Sequence, residues 1–160
     1  MPQETRYYYR MQRIDQPGYN ERDLENDPEW AGLRYLKAVG INDIGKSKNV
    51  YTEEYADSDR KRVYLPPDGN YTNESTVISM TFLVIGPEDR RTATIDNFYE
   101  YVRKGVHRYW DNARNKEFDF IVTDEIKVSD EKWVGSQPYV ELEIKMKNLN
   151  GKTRNVRPQQ

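Results

Sequence analysis

The chain has 160 residues, of which 36% are hydrophobic and 32% are charged, and its formal net charge is −2. It contains no cysteine, which excludes disulfides, thiolate chemistry and cysteine-based zinc sites. No segment reaches membrane-spanning length, and none has the strong basic excess typical of nucleic-acid binding. The 13 tyrosines suit either an assembly subunit, whose surface contacts neighbours, or a polar monomer with a small core.

The N-terminal segment is polar and lacks the apolar region of a secretory signal. Three consecutive tyrosines, Tyr7, Tyr8 and Tyr9, precede a charged stretch that is interrupted by a Pro-Gly pair and an Asp-Pro pair. Pairs of this kind predict turns rather than regular structure. We therefore interpret residues 1–30 as an N-terminal arm or edge segment.

Residues 41–75 form a long charged excursion between two predicted strands, at 32–40 and 76–85. An excursion of this length without a core of its own is usually functional or disordered. Its aromatic and basic side chains can order it against a neighbouring subunit, as anchors and as partners in ion pairs. The residues predicted to lie at a subunit interface, together with the N-terminal tyrosines, are Tyr7, Tyr8, Tyr9, Tyr51, Tyr55, Arg60, Arg62 and Tyr64.

The most apolar segment is the β-branched run 76–85, which predicts a buried strand. A Gly-Pro pair ends it, and an amphipathic helix is predicted near residues 95–105, where apolar side chains recur at helical spacing. Two further strands are predicted, at 118–122 and at 139–147, the second with apolar and charged residues in alternation. One helix on such a sheet buries the apolar faces of both.

The order of these elements predicts a mainly β fold of the α+β class. We expect an antiparallel β-sandwich or barrel with one flanking helix and the long charged excursion. It forms a single domain over residues 31–153, followed by a flexible tail over 154–160.

One segment matches a phosphate-binding motif: Gly40 to Ser47 fits the pattern G-x-x-x-x-G-K-[ST]. Such a loop needs a following helix whose N-terminus holds the phosphate, whereas the residues after Ser47 are β-prone. Together with the triplet Arg60-Lys61-Arg62, the segment supports an alternative interpretation, a nucleotide- or nucleic-acid-binding protein. A mixed-charge loop that forms salt bridges across a subunit boundary explains the same triplet, and its alternating acidic and basic residues suit a self-associating surface better than a polyanion.

The other candidates for chemistry are isolated. His107 is the only histidine, and Asp111 follows it by four residues, but no nucleophile motif accompanies them. Asp57 and Asp59 lack the further acids and the glycine of a calcium loop. A hydrolase that uses His107 and a carboxylate is a third interpretation. Otherwise we expect no catalytic residue, no metal site and no cofactor.

The order of parts resembles the tail-tube fold of long-tailed bacteriophages, a group that includes major tail-tube subunits and the first domain of distal tail proteins. Two segments are also similar to tail components of phages or prophages of gut Bacteroides-type bacteria. The first runs from Asn97 to Gly105 and continues through Tyr109 to Arg114, and the second runs from Pro138 to Leu142 and ends in residues 148–152. In layout the resemblance covers residues 30–153.

This resemblance implies a structural subunit of the virion tail, made in the cytoplasm of the bacterial host and without enzymatic activity. Such subunits close into rings, commonly hexameric, in which strands of adjacent subunits line a lumen. The long loop, here residues 46–66, is implied to reach the neighbouring subunit or ring. The implied partners are other copies of the chain, other tail proteins and DNA that passes through the lumen without specific binding, with no membrane involved.

Overall fold

The computed structural model describes residues 9–46 and 73–156, and the backbone of residues 51–54 and 61–64. These ranges form twelve β-strands and one α-helix. In chain order they are β1 (Tyr9–Arg13), β2 (Arg22–Asp23), β3 (Leu33–Val39), β4 (Tyr51–Glu54), β5 (Lys61–Tyr64), β6 (Thr76–Ile85), α1 (Glu88–Val102), β7 (His107–Asp111), β8 (Lys116–Ile121), β9 (Lys127–Val128), β10 (Lys132–Val134), β11 (Gln137–Asn148) and β12 (Arg154–Asn155). The predicted mainly β, α+β class is confirmed. In these ranges no helix is long and apolar enough to cross a membrane.

Ten strands form one antiparallel sheet in the order β2-β1-β7-β8-β11-β6-β3, with β12 beside β8 and with β9 and β10 beside β11. Strands β6 and β11 pair along their whole common length, from Ile85 opposite Tyr139 to Thr76 opposite Asn148. Strands β8 and β11 pair at only two positions. The sheet therefore has two halves, which we call the β7 half (β1, β2, β7, β8, β12) and the β6 half (β3, β6, β9, β10, β11).

Both halves contribute to one hydrophobic core. The alternation predicted for β11 is confirmed, because its buried side chains are Val140, Leu142, Ile144 and Met146. The N-terminal residues also enter this core, through Met11, Leu24 and Trp30. Strands β1 and β2 lie at one edge of the sheet, which agrees with the edge alternative of the prediction, and residues 9–30 also contribute to the core.

Helix α1 begins at Glu88, seven residues before the predicted start and directly after Pro87. Two acidic residues in its first turn interact favourably with the helix dipole. Its first buried side chains are polar, Arg91 and Thr94, so apolar periodicity alone could not reveal these turns. Thr94 Oγ1 donates a hydrogen bond of 2.7 Å to the carbonyl of Ala31, which holds the helix against the N-terminal segment.

Backbone pairing does not close the sheet into a barrel. The outermost strands of the two halves are instead joined by Glu25, whose Oε2 accepts a 3.2 Å hydrogen bond from the amide of Tyr35 on β3. The carbonyl of Glu25 accepts a further bond of 2.7 Å from the guanidinium of Arg34. The ring of Tyr9 on β1 stacks on Tyr35, with 4.4 Å between ring centres. We call this side-chain junction the seam.

The C-terminal strand β12 also differs from the prediction of a flexible tail from residue 154. Arg154 pairs with β8 through its backbone, opposite Glu117. Its guanidinium lies 2.6 Å from a carboxylate oxygen of Glu117 and 3.0 Å from one of Asp119. These two ion pairs give the segment a fixed place in the sheet. Residues 157–160 lie outside the described ranges.

Candidate assembly surface

The predicted excursion contains a β-hairpin, β4 and β5, which forms a two-stranded sheet separate from the ten-stranded one. Its register places Tyr51 opposite Tyr64 and Glu53 opposite Arg62. Two strands of four residues are only marginally stable in water unless they pack on another surface. Three predicted interface residues, Tyr51, Arg62 and Tyr64, thus share one hairpin. Tyr55 and Arg60 lie outside the described residues.

The base of the excursion is held by close backbone contacts. The carbonyl of Lys46 accepts a 2.6 Å hydrogen bond from the amide of Glu74, and the amide of Gly45 donates a 2.7 Å bond to the carbonyl of Gly151. A Cβ atom on Gly45 would lie 1.8 Å from the carbonyl oxygen of Glu74, and one on Gly151 would lie 2.1 Å from the same oxygen. Only glycine fits at these two positions, so the two ends of the excursion are fixed side by side.

The phosphate-loop candidate has a different geometry from the one its sequence pattern requires. Gly40 has a φ of 90° and its carbonyl accepts a hydrogen bond from Asp43, which makes a tight turn. The next described element is strand β4 and not a helix, and the amide of Gly45 is already bonded within the base of the excursion. Ser47 lies outside the described residues. The described part of residues 40–47 therefore offers no helix N-terminus to a phosphate.

Of the three N-terminal tyrosines, Tyr7 and Tyr8 lie outside the described residues. Tyr9 is half-buried and stacks on Tyr35 of its own chain. Burial raises the pKa of its hydroxyl. Among the described residues, the aromatic contact of Tyr9 is therefore with Tyr35 of its own chain, at the seam.

The seam contains a partly buried polar cluster, Tyr35, Tyr109, Asp111 and Arg114, whose members the sequence did not predict to lie together. The guanidinium of Arg114 donates a hydrogen bond to the hydroxyl of Tyr35 and lies 3.6 Å from Oδ2 of Asp111. Tyr109 is fully buried, and its hydroxyl has no hydrogen-bond partner among the described residues. Burial raises the pKa values of Asp111 and Tyr109. No plain local signal reveals this cluster, because the inward positions 107, 109 and 111 are not a clear apolar set.

Asp111 gives a pH-dependent prediction. Because burial raises its pKa above the ordinary 3.8, the folded state holds this proton more tightly than the unfolded state. The resulting stabilisation is fully present below about pH 3.8, the ordinary pKa of the unfolded state. It is lost as the pH rises through the raised pKa of the folded state. We expect Asp111→Asn, which keeps an acceptor for the amide of Arg114, to gain stability relative to wild type between about pH 4 and pH 7. Urea unfolding across this range measures the difference, and a difference that is constant with pH contradicts the prediction.

His107 lies in the core and is not available to a substrate. It is fully buried, and its Nε2 bonds to the carbonyl of Lys104 at 2.8 Å. Its ring packs between Tyr101 and Phe120, with ring centres 4.7 Å and 5.5 Å away. Asp111 is four residues further along the same extended strand, roughly 13 Å away, which is too far for a catalytic pair. His107 and Asp111 therefore do not form the acid–base pair of a hydrolase.

The same burial predicts how acid affects stability. Burial lowers the pKa of His107 from its ordinary 6.5, so below that pH the unfolded state binds a proton that the folded state resists. Stability from this group is complete above about pH 6.5 and declines as the pH falls towards the lowered pKa. Since the chain has one histidine, we expect His107→Gln to flatten the pH dependence of the urea midpoint between pH 7 and 5. Parallel curves for the two proteins contradict this assignment.

In the described part of the chain, no group of three or more His, Asp or Glu residues could hold a metal ion. The acidic pair Asp57 and Asp59 lies outside that part.

The outer face of the β7 half carries a groove of about 480 Å³ in which charges are paired. The guanidinium of Arg10 lies 2.8 Å from Glu21 and over the ring of Trp110, at 4.7 Å from its centre. Three basic side chains meet three acidic ones in this region, in the pairs Arg10–Glu21, Arg108–Asp119 and Arg154–Glu117. Charge is therefore balanced within the face.

Comparisons of the chain with protein-family models, with curated proteins and with solved structures found no match. The candidate assembly surface is thus defined by its own geometry, a hairpin outside the main sheet whose base is held by two glycines.

Proposed function

We propose that the chain is a self-associating structural subunit of a bacteriophage tail or of a phage-derived tail, in the tail tube or the distal tail ring. The observation that carries the proposal is the β4–β5 hairpin, a two-stranded sheet that no strand of the main sheet extends. Such a hairpin gains stability when it packs on another surface. In a closed ring, that surface is supplied by the next copy of the chain.

The anchored base makes the hairpin suitable for this role. Because Lys46 and Glu74 are hydrogen-bonded, the chain leaves and re-enters the domain at one point. A chain of about 12 residues spans at most roughly 40 Å when it is fully extended. This reach is comparable to the width of a domain of this size, whose radius of gyration is about 15 Å. The excursion is therefore long enough to cover a neighbouring subunit.

The test is the solution mass of the wild-type chain and of a variant without the hairpin. Residues 47–72 are replaced by a four-residue Gly-Ser linker, which the adjacent positions of Lys46 and Glu74 allow. We expect wild type to elute as a multiple of 19.1 kDa by light scattering and to form rings about 100 Å wide in negative stain. The linker variant is expected to be a monomer with an unchanged circular dichroism spectrum.

Point variants separate the hairpin surface from the deletion itself. Tyr51→Ser combined with Tyr64→Ser removes the two tyrosines whose backbones pair with each other in the hairpin. We expect this pair to weaken association, whereas Tyr99→Ser, which removes a 44% exposed ring from helix α1, leaves the mass unchanged. A hairpin variant that keeps the wild-type mass contradicts the assigned surface. A wild-type chain that stays monomeric at high concentration contradicts self-association.

A further inference from the structure

The outer face of the β6 half, which we call the basic face, has an excess of positive charge. Along β6 and β11, buried side chains alternate with side chains that point away from the core. The strand registers identify the residues of the adjacent strands that lie on the same outer side. Its six basic and two acidic side chains are Arg34, Lys37, Lys127, Lys132, Lys145 and Lys147, with Glu141 and Glu143. Since the whole chain has a net charge of −2, this excess is local to the face.

Most of these cations are not neutralised. Lys132 lies 3.2 Å from Glu141, and Lys127 lies 3.7 Å from Glu125. The other four are Arg34, Lys37, Lys145 and Lys147, and none of them forms an ion pair with a carboxylate among the described residues. The outer face of the β7 half differs in this respect, because each of its arginines has a carboxylate partner.

We propose that the basic face binds the phosphate backbone of double-stranded nucleic acid without reading its sequence. Lys145 and Lys147 are two positions apart on β11, so their Cα atoms are separated by about 6.7 Å along the strand. This spacing is close to two steps of about 3.4 Å between successive phosphates along the duplex axis. Lysine and arginine contacts to phosphates position a protein on the duplex and carry no direct sequence information.

The composition of the face favours a duplex over other partners. Proteins that hold single strands use aromatic side chains as stacking platforms, and the aromatic side chain on this side is the half-buried Tyr139 at its rim. Exposed Trp133 pairs with Pro138 and so belongs to the opposite side of the sheet. The same side exposes Val39 and Val77, but lysine, its most frequent charged residue, is depleted in the cores of protein interfaces. The face is complete within one chain, so this binding does not depend on ring formation.

The test is fluorescence anisotropy with labelled 20-base-pair DNA duplexes of two unrelated sequences, at salt concentrations from 50 to 200 mM. Four unpaired cations predict a slope of about −3.6 in a plot of log affinity against log salt, or about a hundredfold change over this range. Both sequences are expected to bind equally. Light scattering in the same buffers reports the oligomeric state, so a failure of assembly is distinguishable from a failure of binding.

Variants assign the binding to the face. We expect Lys145→Ala combined with Lys147→Ala to reduce the slope to about −1.8, since each phosphate contact contributes close to one. The control combines Arg90→Ala with Lys104→Ala, which removes the same charge from exposed positions on or next to helix α1 and leaves the slope unchanged. The proposal is overturned if wild type does not bind at 50 mM salt, or if the control lowers the slope equally. It is also overturned if single-stranded DNA binds more tightly than the duplex. A Lys145→Ala, Lys147→Ala variant that changes the solution mass but not the salt slope overturns it as well.

Discussion

Replacing Gly151 with alanine is expected to lower the free energy of unfolding by about 3 kcal/mol, which is large for a single methyl group. The new Cβ would lie 2.1 Å from the carbonyl oxygen of Glu74 and 2.8 Å from Cβ of Asn73, so the backbone must move. That movement separates Gly151 from Gly45 and breaks the hydrogen bond at the base of the excursion. Urea unfolding followed by tryptophan fluorescence measures the loss.

Gly135 provides a matched control. Its φ is +61°, close to the +64° of Gly151, but no atom lies within 4 Å of a Cβ built on it. Gly135→Ala therefore carries only the cost of a left-handed alanine, about 1 kcal/mol. The difference between the two variants isolates the close backbone approach at the excursion base. Equal losses at the two positions contradict the proposed anchoring.

Trp30→Ala is expected to cost about 3–5 kcal/mol, the range for removing a large aromatic side chain from a core. Trp30 is fully buried, and its ring meets Phe98 edge to face with 5.0 Å between ring centres. The guanidinium of Arg22 covers the ring at 3.8 Å from its centre, in a cation–π contact. The substitution removes the ring packing of the N-terminal segment on helix α1 and leaves a cavity beneath Arg22.

Two controls separate packing from chemistry at this position. Trp30→Phe keeps an aromatic ring and removes an indole N–H that has no hydrogen-bond partner among the described residues, so a smaller loss is expected. Trp133→Ala applies the same truncation to a side chain that is 59% exposed, and we expect a change within about 0.5 kcal/mol. If Trp30→Ala is as mild as Trp133→Ala, the N-terminal segment is not part of the cooperative core.

Strands with local apolar patterns could be predicted from the sequence. The predicted strand 76–85 has the bounds of β6, the predicted strand 32–40 extends one residue beyond β3 at each end, and 139–147 lies within β11. Each of these segments carries its own evidence of burial, either as a continuous apolar run or as period-two alternation. In these strands the residues that are apolar in sequence are also the ones buried in the fold, so the strands could be predicted without knowing their distant partners.

Strand β7 was missed, and β1 was predicted only as part of an arm or edge segment, because the burial of the two strands depends on each other. Their outer positions carry charged side chains such as Arg10 and Arg108, and the inward ones are Met11, His107 and Tyr109, a set without a plain apolar pattern. Pairing across about 100 residues of sequence makes these segments strands. The basic face was hidden for a similar reason, because its cations come from β3, β9, β10 and β11, each mixed with acidic or apolar residues. The interface assigned to the excursion stays a prediction.

The pairing of β1 with β7 also has a consequence during synthesis. The ribosome synthesises β1 about 100 residues before β7. This interval corresponds to roughly 5–20 s of translation. Throughout that interval Met11 and Leu24 have no core to enter, and β1 has a free edge. Nascent chains on one messenger can then exchange their first strand, so that β1 of one copy pairs with β7 of another. We expect this exchange to appear as a dimer that forms at high expression and persists on dilution.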